Sequence, residues 1–226
     1  MAHQAGGQRP APRPVPETCE TQAYLQDYAA LLNALACPSL VVDHRWDVVM
    51  ANDAFASLFR GMRPQATAMP GDNFLRFVLF HPDAGDVLGE HEQGWCLPML
   101  AHLKSALEAY GHDHDLQAIR RDIAQDPLME AAYRQGLPHW IRAVGESATR
   151  LDGAVRLLHH PDPRRGPTEC RIVEETPEIL RELGYRRLSL VLRENRRAAT
   201  PARRTRRPRA LRATAGHLTV VRVPKD

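Results

Sequence analysis

The sequence predicts an α+β fold, in which one antiparallel sheet of five strands is covered by helices. Strand-like runs fall into two groups, near residues 39–51 and 154–194, at either end of the apolar region. Between the groups, about sixty residues carry apolar side chains at helical spacing. Strand groups separated by a helical block suggest one antiparallel sheet with helices on one face.

In chain order, "ETQAYLQDYAALLNALAC" sets Tyr24, Leu25, Tyr28, Leu31, Leu32 and Leu35 at helical spacing, which predicts a helix over 21–35. Pro38 ends the stretch compatible with it. "PSLVVDHRWDVVMANDAFASLF" reads as two strands, 39–43 and 47–51, joined as a hairpin through "DHRW". Asn52 or Asp53 then caps a helix whose apolar face is Phe55, Leu58 and Phe59. "NFLRFVLFHPDAG" sets Phe74, Phe77, Val78 and Phe80 on a short buried helix that ends before Pro82. "GWCLPMLAHLKSALEAYG" is an amphipathic helix carrying Leu100, Leu103, Leu107 and Tyr110 and closed by Gly111. "DLQAIRRDIA" continues with Leu116, Ile119 and Ile123, and "QDPLMEAAYRQG" starts on Asp126 and Pro127 with Gly136 as its stop. "AVRLLHHP", "ECRIVEE" and "RRLSLVLRE" are the closing strands, and in the last Leu188, Leu190 and Leu192 alternate with Arg187, Ser189 and Arg193.

The 226 residues, 43% of them apolar, suffice for one domain with a core and some extra segments. No apolar window is long enough for a membrane span. Residues 1–20 lack the apolar region of a secretory signal and read as a disordered leader rich in Pro, Gly and Gln. Cys19, Cys37, Cys96 and Cys170 have no metal-knuckle spacing and read as reduced thiols of a cytoplasmic chain. From Arg186 onward 13 basic residues accompany two acidic ones, which leaves the preceding 185 residues at a net charge of −8. The segment 194–226 reads as a basic disordered tail, although "HLTVVRV" within it could pair as an edge strand. An acidic body disfavours nonspecific nucleic-acid binding through its own surface.

The order of strand pair, Asn-capped helix, helical stretch and three-stranded meander resembles a PAS-type sensor domain. "PSLVVDHRWDVVMAN", "NFLRFVLFHPDAG", "GW" before a long helix and "RLLHHPDPRRGPTECRI", in that order, are similar to the ligand-binding domain of MmyB-like transcription regulators. The resemblance covers about residues 21–193 and makes 36–193 a PAS-like ligand-binding domain. It implies a noncatalytic sensor module that binds an apolar, fatty-acid-like small molecule and signals to a partner or dimer. Three features depart from the family pattern. The leader is too short for the usual N-terminal helix-turn-helix, Ala51 stands where the family tends to carry an aromatic, and the Arg-rich tail is additional.

A pocket between sheet and helices would be walled by Phe55, Phe59, Phe74, Phe77, Trp95, Leu100, Leu103 and Leu107, residues that read equally as plain core. Arg76 is a cation within an apolar run, so it needs a partner: a ligand carboxylate, an acid such as Asp72, or water reached by snorkelling. "GHDHD" at 111–115 invites a metal reading, but residues two apart do not share a helix face, so a polar loop with an N-cap Asp is favoured. No GxSxG, P-loop, GxGxxG or HExxH is present, and no cofactor is expected. In the tail, Arg203, Arg204, Arg206, Arg207 and Arg209 could contact DNA phosphates nonspecifically, or could simply be solvated.

Overall fold

The structure, a computed structural model, describes residues 18–160 and 166–193. Most of the leader, the whole basic tail with its five candidate arginines, and "HLTVVRV" lie outside the described residues.

Helix α1 (Cys19–Asn33) is capped by Thr18, whose side chain accepts from the Thr21 N–H. The hairpin of β1 (Ser39–Val42) and β2 (Val48–Ala51) follows, then α2 (Asp53–Leu58). Next come α3 (Phe74–Phe80), α4 (Ala84–Val87) and the two-residue strand β3 (Leu88–Gly89). A π-helical turn, His91–Cys96, leads into α5 (Leu97–Ala109), and α6 (His114–Gln125) packs beside it. Helix α7 (Pro127–Ala131) runs through a second π turn, Ala132–Gly136, into α8 (Leu137–Val144). The chain closes with β4 (Val155–His159), β5 (Pro167–Glu174), α9 (Glu178–Glu182) and β6 (Arg186–Leu192).

The sheet has six strands rather than five, in the order β2-β1-β6-β5-β4-β3, with every neighbouring pair antiparallel. The extra strand is β3, whose two residues pair with Leu157 and Leu158. Gly136 also departs from the sequence reading. Its backbone stays right-handed helical, and the helix stops instead at Gly145, where φ is +63°. Both π turns precede a Leu-Pro step, at Pro98 and Pro138. Proline lacks the N–H for an i→i−4 bond and crowds that carbonyl, so a locally widened turn relieves the conflict without ending the helix.

The sheet is covered on both faces, so helices on a single face was too simple an expectation. On the inner face, Leu40, Val42, Leu188, Leu190, Ile172 and Leu158 join the aromatic side chains of α2 and α3 and the leucines of α5 in the main core. On the outer face, Val41 packs against Tyr28, Leu32 and Leu180 beneath α1 and α9. The β1–β2 register slips between Val41 and Val42, leaving Val49 as the unpaired extra residue. That bulge keeps Val48 on the inner core while Met50 joins the outer cluster.

Candidate functional site

The hairpin turn brings Trp46 into the interior at a conformational cost. Asp43 shapes the turn, its Oδ1 accepting from the N–H groups of Arg45 (2.8 Å) and Asp47 (2.9 Å). Trp46 then has φ +69°, a left-handed backbone unusual for so bulky a residue, and is 2% exposed. Its ring tilts against Phe74 at 6.4 Å and meets the edge of His102 at 5.4 Å.

Two spaces border this indole. One is an apolar cavity lined by Leu40, Trp46, Phe74, Trp95, Pro98, Met99, Leu151, Ile172, Leu188 and Leu190, with Arg156 at its edge. It offers about 20 Å³ to the centre of a water-sized sphere. A single water needs roughly 10–15 Å³ on this measure, so the cavity holds one or two waters and no acyl chain. The second is a cleft of about 300 Å³ walled by His44, Trp46, His102, Ser105, Tyr110 and Arg186. Beyond Arg156 the surface opens into a further recess of about 420 Å³ between α8 and the Gly153 turn.

Of the expected wall residues, Phe74 and Trp95 line the apolar cavity. The Trp95 indole N–H donates to the Leu157 carbonyl at 3.1 Å, which fixes the ring against β4. Phe55, Phe59, Phe77, Leu100 and Leu103 are buried in the surrounding core without lining the cavity, and Leu107 is half-buried at its margin. Arg76 is turned away from the interior. Its guanidinium pairs with Asp122 at 2.8 Å and lies 6.0 Å from the Phe80 ring, so its partner is the α6 carboxylate rather than Asp72.

Among the described residues, Arg156 and Arg186 are the cations that line the two spaces beside Trp46. Arg186 pairs with Val42 across the sheet and is in phase with Leu188 and Leu190. Its guanidinium carbon sits 4.9 Å from the Trp46 ring. Arg156, opposite Cys170 on β5, makes one long bond among the described residues, of 3.3 Å to the Val155 carbonyl. Neither guanidinium has a carboxylate within 4 Å among the described residues. Burial pushes both below the ordinary arginine value, against the pull of Glu174, Tyr110 and Asp43 on Arg186. His102 of α5 feels both charges; it is 8% exposed, and its Nε2 has no hydrogen-bond partner among the described residues. Burial, then the charges of Arg186 and Arg156, lower its pKa to about 4, so the ring is neutral at pH 7. A two-residue phase count from the buried leucines of β4 and β6 would have marked both arginines as inward-facing.

The "GHDHD" segment is a polar corner. Asp113 caps α6, accepting from the N–H groups of Asp115 and Leu116, and also meets His44 Nε2 and Arg45 Nε, each at 3.0 Å. Burial opposes ionisation of Asp113, but these hydrogen bonds and the Arg45 charge outweigh it and hold the carboxyl below its usual range. Among the described residues no cluster of three or more His, Cys, Asp or Glu could hold a metal ion. All four cysteines are free, and burial pushes the thiols of Cys96 and Cys170 up to about 12. No helix among the described residues is long and apolar enough to cross a membrane.

Asn52 ties this interior to the outer helix. It is 1% exposed, and its Oδ1 accepts from the N–H groups of Ser39 (3.0 Å) and Phe55 (2.9 Å). Its Nδ2 donates to the carbonyls of Leu32, Leu35 and Cys37 at 2.9–3.2 Å. One amide therefore caps α2, holds β1 and anchors the end of α1.

No curated protein matches the chain at significance. The family model described as the MmyB-like transcription regulator ligand binding domain matches residues 26–139, from within α1 to the first turn of α8, and the chain belongs to that family.

Proposed function

We propose that the chain is the small-molecule sensor of a transcription regulator, that it is PAS-like, and that its ligand is an apolar molecule with an anionic end, of the fatty-acid type. The single observation that carries this reading is Arg156, a half-buried guanidinium without a carboxylate partner among the described residues, at the edge of an apolar cavity. A carboxylate held there would direct its chain toward Trp95, Phe74 and Trp46. The cavity is too small for that chain, so entry requires the helical layer to move off the sheet. Displacement of Phe74 and its neighbour Phe55 would reach Asn52 and, through it, the end of α1. Helix α1 would pass the change to a second copy or to a separate DNA-binding regulator, and phosphate contact through the tail arginines would be auxiliary.

The test is binding of laurate and of dodecanol to the full chain by calorimetry. The expected result is laurate binding that Arg156→Gln weakens about tenfold or more, the loss of a charge-assisted pair, with dodecanol affinity unaltered. Equal laurate affinity in variant and parent removes Arg156 from the site, and binding of neither probe removes the apolar-ligand reading. A second reading, a noncatalytic interaction module that no longer takes a ligand, is favoured by the filled interior and would be left standing by that last result.

A further inference from the structure

We infer that the cleft beside Trp46 is a binding site for a small organic monocarboxylate, gripped by Arg186 with His102 on its wall. This goes beyond the apolar-ligand reading and does not rest on it, since the cleft and the apolar cavity are separate spaces whose linings share Trp46 alone.

Arg186 carries up to five N–H donors, and none makes a hydrogen bond or ion pair with a described residue. Glu174 and Asp43 act on it only from beyond ion-pair distance. The Trp46 ring holds the guanidinium by a cation–π contact, with the guanidinium carbon 4.9 Å from the ring centroid. His102 also lines the cleft, although its unpaired Nε2 is itself sealed from solvent, so the ring is a neighbour of the ligand rather than its donor. A half-buried guanidinium without a described partner marks a place where an anionic ligand improves on water. Trp46 itself holds a left-handed backbone at this point, and such strain concentrates at ligand sites.

The chemistry of the cleft selects its occupant. One cation beside a neutral imidazole matches a single negative charge, whereas the nearby Glu174 and Asp43 disfavour a dianion. Two carboxylate oxygens match the fork of Arg186. The Tyr110 ring and the neighbouring α5 surface provide an apolar wall for a small organic body, and the volume of about 300 Å³ suits a molecule of that size.

The experiment follows the His102 ring resonances in the isotopically labelled full chain, identified by their loss in His102→Phe. Sodium benzoate, benzyl alcohol and inorganic phosphate are titrated separately. Benzoate is expected to move the His102 signals saturably, with benzyl alcohol and phosphate each about tenfold weaker or worse, and Arg186→Met is expected to weaken benzoate by about tenfold or more. Absence of a benzoate shift, equal affinity for benzyl alcohol, phosphate binding as tight as benzoate, or unchanged benzoate affinity in Arg186→Met each overturns the proposal. Should Arg186→Met fail to fold, the comparison of benzoate with its neutral analogue in the parent chain still decides. Laurate binding measured in parallel reports on the apolar cavity alone, so failure of one site is distinguishable from failure of the other.

Discussion

Asn52 shows how much a single amide can organise. A cap at the strand-to-helix junction is legible in "MANDAF", because Asn before an apolar periodic run is a standard N-cap. The donation to Leu32, Leu35 and Cys37 is not legible, since nothing local in the sequence marks carbonyls 15–20 residues upstream as partners. Asn52→Ala loses the cap and strands buried groups of α1 and β1, so urea unfolding should show a loss of about 2–4 kcal/mol. Asn52→Asp keeps the acceptor oxygen and loses the donor, setting a carboxylate against three carbonyls. It should cost as much as alanine, and if it is tolerated within about 0.5 kcal/mol the bonds to α1 contribute nothing. Arg76 illustrates the opposite limit. Its place in "NFLRFVLF" raises the right question, but the answer is Asp122, 46 positions away on α6, and no local pattern names that partner. Arg156 and Arg186 were open to detection by strand phase, yet their shared relation to His102 and Trp46 exists only once β4, β6 and α5 are packed together.

Among the elements, long periodic segments are the legible ones. Leu116, Ile119 and Ile123 are each 1% exposed or less, as expected of one helix face, and the alternation in β6 correctly buries Leu188 and Leu190. Two kinds of element escape such reading. The first is the helix that outlasts its apparent stop: Gly136 costs helix stability but does not forbid helix, and a π turn absorbs Pro138. The second is a strand too short to have a period. Strand β3 has two residues, and its identity lies in the closeness of β4. A Cβ added at Gly89 would lie 2.8 Å from Leu157 Cγ and from His159 Nε2, so only glycine permits that approach. Gly89→Ala should therefore destabilise by about 1–3 kcal/mol, the range of an overpacked buried site. Gly71→Ala, where nothing lies within 4 Å, should stay within about 0.5 kcal/mol. Equal unfolding midpoints for the two variants would show that β3 can withdraw from β4 at no cost.

For the whole molecule, the decisive property is that both faces of the sheet are covered while the inner layer is nearly filled. The aromatic residues around Phe74 touch in an unbroken series, with Phe74 meeting Phe55, Phe59, Phe77, Trp46 and Trp95 at centroid distances of 5.8–6.5 Å. Close-packed interiors shift between discrete arrangements rather than stretching continuously. A ligand of acyl length must therefore capture an expanded arrangement that is a minor part of the population. With that arrangement at about 1%, apparent affinity falls about a hundredfold below the intrinsic value. If exchange is fast, association slows by the same factor. Stopped-flow mixing with laurate should then give an association rate constant below about 10⁵ M⁻¹s⁻¹, the lower edge of ordinary docking. Phe74→Ala, which removes the ring at the centre of the series, should accelerate association while lowering stability by about 3–5 kcal/mol. Those opposite effects follow from one cause, because the same ring that holds the layers together keeps the chain out. Association of the parent near 10⁷ M⁻¹s⁻¹, unaltered in Phe74→Ala, would mean that laurate binds at the surface and that movement of the helical layer is not the signal.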